Sequence, residues 1–155
     1  RLIHRQLEGT ALQGTGNYGK AREIYESLLV DYPNDLNTLN NLAYLLADNL
    51  GEPEAALSMA ERAARLAPLN AHVLDTLGWV QFASGRTSEA KDNLEHSVEL
   101  EELPLNVLHL GIVYEYFNIR ERAREHYERA IGLAEMANEP DVRDKAKDRL
   151  STLGN

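Results

Sequence analysis

Small residues recur at a nearly constant interval along this chain, and that interval limits the folds open to it. Two separate sets show the interval, one made of Gly9, Ala43, Gly78 and Gly111 and the other of Ala21, Ala56, Ala90 and Ala123. The spacings are 34, 35 and 33 residues in the first set and 35, 34 and 33 in the second. A period of this length indicates an array of similar units, each of which buries its apolar face against its neighbours.

The clearest unit spans Ala71 to Pro104, with a turn predicted at Gly85. After this turn, Ala90, Leu94 and Ser97 follow one another at offsets of four and three. Such offsets place side chains on one face of a helix with 3.6 residues per turn. The unit is therefore predicted to be a helix, a short turn and a second helix.

The residues within the units resemble those of the tetratricopeptide repeat family. That family has Leu-Gly in the first helix, then Ala, an aromatic residue and Ala in the second helix, and a closing Pro. The matching residues are Leu77-Gly78, Leu110-Gly111 with Tyr114, Ala21 with Tyr25, Ala56 with Ala60 and Ala63, Ala123 with Tyr127 and Ala130, and Pro33 and Pro68. They cover the chain from Leu2 to Ala137. The resemblance implies an all-α, right-handed solenoid of four helix pairs.

The sequence departs from the family pattern at a few positions. The first repeat has Glu8 where Leu is expected, and the third has Ser97 where Ala is expected. The third and fourth repeats lack the closing Pro at its usual offset, and Pro104 comes two residues late. These departures fall at the margins of a pattern that otherwise repeats along the chain.

The repeats are expected to form one domain over residues 1–155. They span approximately residues 2–35, 36–70, 71–103 and 104–137, and the extra residue of the second repeat is expected in the turn from Asn49 to Glu52. A last helix over residues 140–153 has a narrow apolar stripe, which fits either a terminal cap or the first helix of a further repeat. Because the sequence begins at Arg1 inside an amphipathic segment, we expect it to be a piece of a longer protein, and it identifies no compartment.

Composition excludes several classes of function. A net charge of −9 and an isoelectric point near 5.0 argue against nucleic acid and anionic membrane surfaces as partners, since both attract clustered Lys and Arg. The absence of cysteine excludes disulfides and thiolate metal sites. Apolar runs reach six residues, as in Leu42 to Ala47, so no membrane insertion is expected.

Motifs that suggest chemistry lack the context that chemistry needs. Residues 14–19 match G-x-G-x-x-G and precede Lys20, but no predicted strand comes before them, so Gly is better explained by the turn between two helices. The histidines, which are His4, His72, His96, His109 and His126, have no metal-site spacing. Ser84 and Ser88 do not lie in a nucleophile elbow. We therefore predict a protein that is not an enzyme and has no cofactor or metal.

Charge is distributed unevenly between the two helices of each predicted pair. The segments Leu36 to Ala47 and Leu103 to Tyr114 carry no charged residue, and Leu69 to Gly85 carries only Asp75, apart from His. The second helices carry most of the charge. In this family the first helices line the concave surface, so the resemblance implies that a partner segment lies there.

The family's groove-facing offsets define the candidate partner-binding residues. They are Asn37, Asn40, Asn41, Tyr44, His72, Asp75, Trp79, Phe82, Leu105, Leu108, His109, Ile112 and Tyr116. The alternative for the apolar members is packing between neighbouring first helices. Trp79 has the bulk and the polar N–H of a half-exposed anchor.

One branch of the family clasps acidic C-terminal tails of chaperones with Lys, Asn and Arg side chains. The matching offsets here hold Gln6, Thr10, Asn41, His72 and Thr76. Only Asn41 agrees, so binding of such carboxylate tails is not expected.

The function predicted from these observations is a scaffold that binds a protein or peptide segment in the concave groove. The alternative is an oligomerisation or regulatory segment of a larger enzyme or of a secretion or assembly machine, with self-association as one form of it. The identity of the partner cannot be predicted from the sequence.

Overall fold

The computed structural model describes residues 1–154, and over that range the chain is helical throughout, with no strand. The helices are α1 Leu2–Gly14, α2 Tyr18–Asp31, α3 Leu36–Tyr44, α4 Pro53–Leu66, α5 Ala71–Ala83, α6 Thr87–Leu100, α7 Pro104–Tyr116, α8 Arg120–Ala137 and α9 Pro140–Leu153. A short π-helical turn, Leu45–Asn49, continues α3. The first eight helices form four pairs that stack in chain order, α1 with α2 up to α7 with α8. The all-α solenoid predicted from the repeats is confirmed.

Each pair is joined by a turn of three residues whose middle residue has a positive φ. The middle residues are Gly16, Gly51, Gly85 and Asn118, with φ of 79°, 66°, 81° and 58°. Asn118 takes the left-handed conformation in place of glycine, because its short polar side chain tolerates that region. The four turns therefore have one length and one geometry.

The extra residue of the second repeat lies in a helix and not in the turn, so its predicted position from Asn49 to Glu52 is wrong. The turn after Asn49 has the same three residues as the others, Leu50, Gly51 and Glu52. The additional residue is taken up by the π turn, in which the Leu50 amide donates to the Leu45 carbonyl at 3.0 Å. A π turn adds one residue to a helix without breaking its backbone hydrogen bonding.

Close approach of the two helices in a pair explains the recurring small residues. A Cβ atom on Gly78 would lie 2.6 Å from Leu94 Cγ, and a Cβ atom on Gly111 would lie 2.9 Å from Tyr127 Cε1. Gly9 and Tyr25 have the same relationship, at 2.6 Å. Glycine is required at these three positions because any side chain would overlap the second helix.

A buried polar cluster occurs where the third repeat departs from the family pattern. Ser97 Oγ donates to the Ala71 carbonyl at 2.7 Å, and Asn106 Nδ2 donates to Ser97 Oγ at 3.0 Å and to the Glu101 carbonyl at 2.8 Å. The Leu103 amide donates to Asn106 Oδ1 at 2.8 Å, which caps α7. Both side chains are fully buried, and their hydrogen bonds fix the junction of α6 and α7 that has no closing Pro.

Helix α9 packs on α7 and α8 and covers the apolar side of the fourth pair. Ala146 and Leu153 are buried there, while Val142 and Leu150 are partly buried. Arg120 donates to the Leu153 carbonyl, which fixes the end of the helix. No helix within residues 1–154 has the length and hydropathy to cross a membrane.

Candidate protein-binding groove

The first helices of the four pairs together line a central pocket of about 190 Å³. Its walls come from α1, α3, α5 and α7, so residues far apart in the chain meet in it. The lining residues are Gln13, Asn40, Asn41, Tyr44, His72, Asp75, Thr76 and Leu105. Most of them are polar and uncharged, with Asp75 as the one carboxylate.

Asp75 is held by a histidine of the next pair. The ring Nδ1–H of His109 donates to Asp75 Oδ1 at 2.7 Å, and the two side chains are 1% and 7% exposed. The His109 ring also stacks on Trp79, with ring centroids 4.0 Å apart and an angle of 9° between the planes. His109 therefore fixes the orientation of Asp75 and forms the floor beneath Trp79.

Trp79 begins a row of aromatic side chains that runs from α5 to α7. Its indole N–H donates to Asp48 Oδ1 at 2.9 Å, and its ring stacks on Phe82 at 5.6 Å. Phe82 meets Tyr116 edge to face at 5.4 Å. We call Trp79, Phe82 and Tyr116 the aromatic row; Trp79 and Phe82 are half-buried, and Tyr116 is 62% exposed.

A second pocket lies beside the aromatic row, near the C-terminal end of the groove. Its volume is about 270 Å³, and its lining residues are Phe82, Ile112, Glu115, Tyr116 and Arg149. Arg149 reaches Glu115 from α9 at 3.5 Å, and the Tyr127 hydroxyl donates to the same carboxylate. Glu115 is therefore neutralised within the protein.

Tyr44 and Asn40 form the α3 wall of the central pocket. Burial, followed by the negative charges of Asp48 and Asp75, raises the pKa of the Tyr44 hydroxyl, so that it stays protonated and neutral. The Oδ1 atom of Asn40 is buried and has no hydrogen-bond partner within residues 1–154. An unpaired buried acceptor costs free energy, which a bound donor would recover.

The charges on these inner helices are all acidic. From Leu36 to Asn49, and along α5 and α7, the charged residues are Asp48, Asp75 and Glu115, with no Lys or Arg. The cations lie on or directly before α1 and the second helices, and on α9, where many pair with carboxylates, as Arg129 does with Glu102 at 2.6 Å. A cationic or neutral ligand would meet less electrostatic repulsion in this groove than an anionic one.

The structure brings most of the candidate residues together. Six line the central pocket, which are Asn40, Asn41, Tyr44, His72, Asp75 and Leu105. Phe82, Ile112 and Tyr116 line the second pocket, Trp79 lies beside them in the aromatic row, and Asn37 is exposed on α3.

Two of the candidates have a different position from the one expected. Leu108 and His109 are each 1% exposed, so they pack beneath the groove and do not present a surface to a partner. The physical reason is that α7 is covered on more than one side, by α5, α8 and α9, so that most of its positions are interior. His109 contributes to the groove indirectly, because it hydrogen-bonds to Asp75 and stacks on Trp79.

Other residues of the groove were not among the candidates. Gln13 and Thr76 line the central pocket, and Thr76 occupies the same repeat position as Asn41, which is the signal that could have identified it. Asp48 lies in the π turn and accepts a hydrogen bond from Trp79, 31 residues away in the chain. Arg149 lies on α9 and pairs with Glu115. No repeat offset predicts either of these contacts.

Comparison with known proteins agrees with the helix pairing. A family model described as tetratricopeptide repeat matches residues 7–35, which cover most of the first pair. No curated protein matches the chain.

Several solved structures have a similar fold. MamA from Desulfovibrio magneticus RS-1, in a form running from residue 41 to the end, is 20% identical with a TM-score of 0.70, over 88% of this chain and 77% of that one. The Sgt2 TPR domain from Aspergillus fumigatus is 23% identical with a TM-score of 0.69, over 78% and 82%. TTC0263, a thermophilic TPR protein in Thermus thermophilus, is 20% identical with a TM-score of 0.60, over 97% and 99%. At these identities the likeness establishes the fold.

Proposed function

We propose that this chain, whose repeats and fold are those of tetratricopeptide-repeat proteins, is a protein-interaction scaffold that binds a segment of a partner protein in the groove of its first helices without catalysing a reaction. The observation that carries the proposal is the central pocket. Side chains from four helices converge there on a cavity of about 190 Å³ whose polar groups are open to a ligand. Concave surfaces with a few convergent polar groups are the usual sites of recognition.

The bound segment is held chiefly by apolar and amide contacts. Tyr116 presents an exposed ring, and Trp79 and Phe82 present partly exposed ones, which supply large contact area at a small cost in side-chain entropy. Asn40 and Asn41 supply side-chain amides that can donate to and accept from a peptide backbone. Such a surface binds with weak dependence on salt, because few exposed ion pairs are screened.

The test compares aromatic truncations with a change on a second helix. A partner segment is first identified by affinity capture with the full chain, and its affinity is measured by calorimetry. Trp79→Ala and Tyr44→Ala are each expected to weaken binding by about 1–3 kcal/mol, the usual cost of truncating a central anchor. Glu128→Lys, an exposed change on α8, is the matched control and should have little effect.

Circular dichroism melts establish that each variant is folded. If Glu128→Lys abolishes binding while both aromatic truncations leave it intact, the partner uses the outer surface and the proposal is wrong. If a folded Trp79→Ala variant binds as the wild type does, the aromatic row is not part of the site.

A further inference from the structure

The central pocket contains a carboxylate that is only half satisfied. Asp75 is 5% exposed, and its Oδ1 accepts from His109. Its Oδ2 atom receives no hydrogen bond from the part of the chain that the structure describes, although Asp75 lines the pocket. An ionised carboxylate can accept several hydrogen bonds, so Oδ2, which is open to the pocket, is available to a donor from a ligand.

A second acceptor belongs to α3, the first helix next to α5. Asn40 Oδ1 is buried and unpartnered, and Asn40 occupies in α3 the repeat position that Asp75 occupies in α5. Both side chains line the same pocket, together with the neutral hydroxyl of Tyr44. Asp75 is the one carboxylate among the lining residues.

No cation of the described chain reaches this pocket to complete the pairing. The lining residues include no Lys or Arg, and His72, which is exposed to solvent, is the only basic side chain among them. The helices that form the walls beyond α1 carry acidic charges alone. The pocket therefore has the charge and the acceptors to receive a cation from outside.

We propose that the central pocket takes one cationic side chain, lysine or arginine, from the bound segment, with its N–H groups donating to Asp75 Oδ2. This inference rests on the proposed function and specifies the chemistry of the partner. The cavity is smaller than the range of roughly 300–1,000 Å³ typical for drug-sized ligands, which suits a single side chain. Charge-assisted hydrogen bonds of this kind are about twice as strong as neutral ones.

The probes are blocked tripeptides that differ at one side chain. N-acetylated and C-amidated Ala-Lys-Ala and Ala-Arg-Ala supply the two cations, and the same peptides with norleucine or citrulline supply neutral side chains of similar shape. A glutamate peptide reverses the charge. Binding is followed at pH 7.5 by the side-chain amide signals of Asn40 and Asn41 in nitrogen-labelled full chain.

The expected result is saturable binding of the lysine peptide, the arginine peptide or both, with no saturation by the neutral or acidic peptides. Asp75→Asn should weaken the cationic peptide about tenfold or more, the effect of losing a hydrogen bond to a charged group. The asparagine oxygen can still accept from His109, so the pocket is expected to keep its shape. Asp92→Asn, an exposed change of equal charge on α6, should have no effect.

Asn40→Asp adds a second carboxylate to the pocket. It should increase the affinity of the cationic peptides and leave the affinity of the norleucine peptide unchanged. An unfolded variant would not show such a gain in affinity. Equal binding of lysine and norleucine peptides would overturn the inference, as would an unchanged affinity in folded Asp75→Asn. Its failure is separate from that of the proposed function. A partner segment weakened by Trp79→Ala but indifferent to Asp75→Asn would leave groove binding intact and remove only the cation site.

Discussion

The His109 ring and the Asp75 carboxylate, 34 residues apart, form a hydrogen bond of 2.7 Å that joins the third and fourth helix pairs. In a solenoid each pair contacts only its neighbours, so a buried polar contact between pairs fixes their relative rotation. The same contact orients Asp75 in the central pocket. Stability of the array and geometry of the groove are therefore linked at this one hydrogen bond.

His109→Leu should destabilise the protein by about 2–4 kcal/mol, because a buried carboxylate loses its donor. Asp75→Asn should cost less, since the amide oxygen still accepts from the imidazole. Urea unfolding followed by circular dichroism measures both. If His109→Leu is as stable as the wild type, the pair contributes nothing to the array.

Gly78→Ala should destabilise by about 1–3 kcal/mol, because the new Cβ would lie 2.6 Å from Leu94 Cγ. Gly132, in α8, is the matched control, since a Cβ there meets no atom within 4 Å. Gly132→Ala should stabilise by about 0.5–1 kcal/mol through helix propensity. Thermal melts of the two variants should therefore move in opposite directions, and equal shifts would contradict the close approach of α5 and α6.

Ser97→Ala places the residue that the repeat family prefers, yet it should destabilise by about 1 kcal/mol, because the Ala71 carbonyl and Asn106 lose a hydrogen-bond partner. Asn106→Ala should cost more, at least about 2 kcal/mol, since it also removes the partners of Leu103 and Glu101. Chemical unfolding measures both changes. Helix propensity alone would make Ser97→Ala more stable, so a loss of stability indicates the lost hydrogen bonds. A stabilised Ser97→Ala would show that the polar cluster is not needed.

Stability should fall as the pH rises above about 10, where tyrosines of the unfolded chain ionise. Burial raises the pKa of Tyr25, Tyr114 and Tyr127, and for Tyr127 a hydrogen bond to Glu115 adds to it. The folded protein therefore keeps these protons while the unfolded chain releases them. This contribution is intact below about pH 10 and is lost as the pH rises toward the folded pKa values, by at most about 1.4 kcal/mol per pH unit for each such tyrosine.

Unfolding titrations at pH 9 and at about pH 11 measure this loss. Tyr127→Phe should reduce the slope of the unfolding free energy against pH, because it removes the contribution of one tyrosine. Tyr32→Phe, at a ring 42% exposed, is the control and should leave the slope unchanged. An identical slope in Tyr127→Phe would show that its hydroxyl ionises as freely as in the unfolded chain.

An acidic peptide resembling a chaperone tail should bind no better than millimolar. At the clamp positions Gln6 donates to Asp35 and Thr38, and Thr10 donates to the Gln6 carbonyl, so neither supplies a charge. Without cations a carboxylate gains little in a groove whose own charges are acidic. Calorimetry that finds micromolar affinity would contradict this.

The spacing of small residues predicted the helix pairs and the turn at Gly85, because residues such as Gly78 and Ala90 recur at a nearly constant interval. The spacing could not show which residues of α5 and α7 face the groove and which are interior. Those helices are apolar nearly all round, so their periodicity does not identify which face a neighbour covers, and His109 was assigned to the surface for that reason.

Contacts between distant residues were also beyond the sequence pattern. Asp48, which accepts from the Trp79 indole N–H, lies in the π turn, and Arg149 reaches Glu115 from a helix outside the repeats. A spacing of 35 residues is the same whether the extra residue lies in a turn or in a helix. The sequence could therefore show that a residue had been added but not where it was absorbed.

Because of the π turn at Leu45–Asn49, a repeat of this protein can be longer by one residue without changing its shape. The second repeat is longer, yet its turn has three residues and a middle residue of positive φ, like the turns of the repeats after it. An insertion or deletion arising in the last turn of a first helix would thus be confined to that turn and would not shift the phase of the later copies. The one added residue therefore affects the groove locally, in the π turn that holds Asp48 against Trp79.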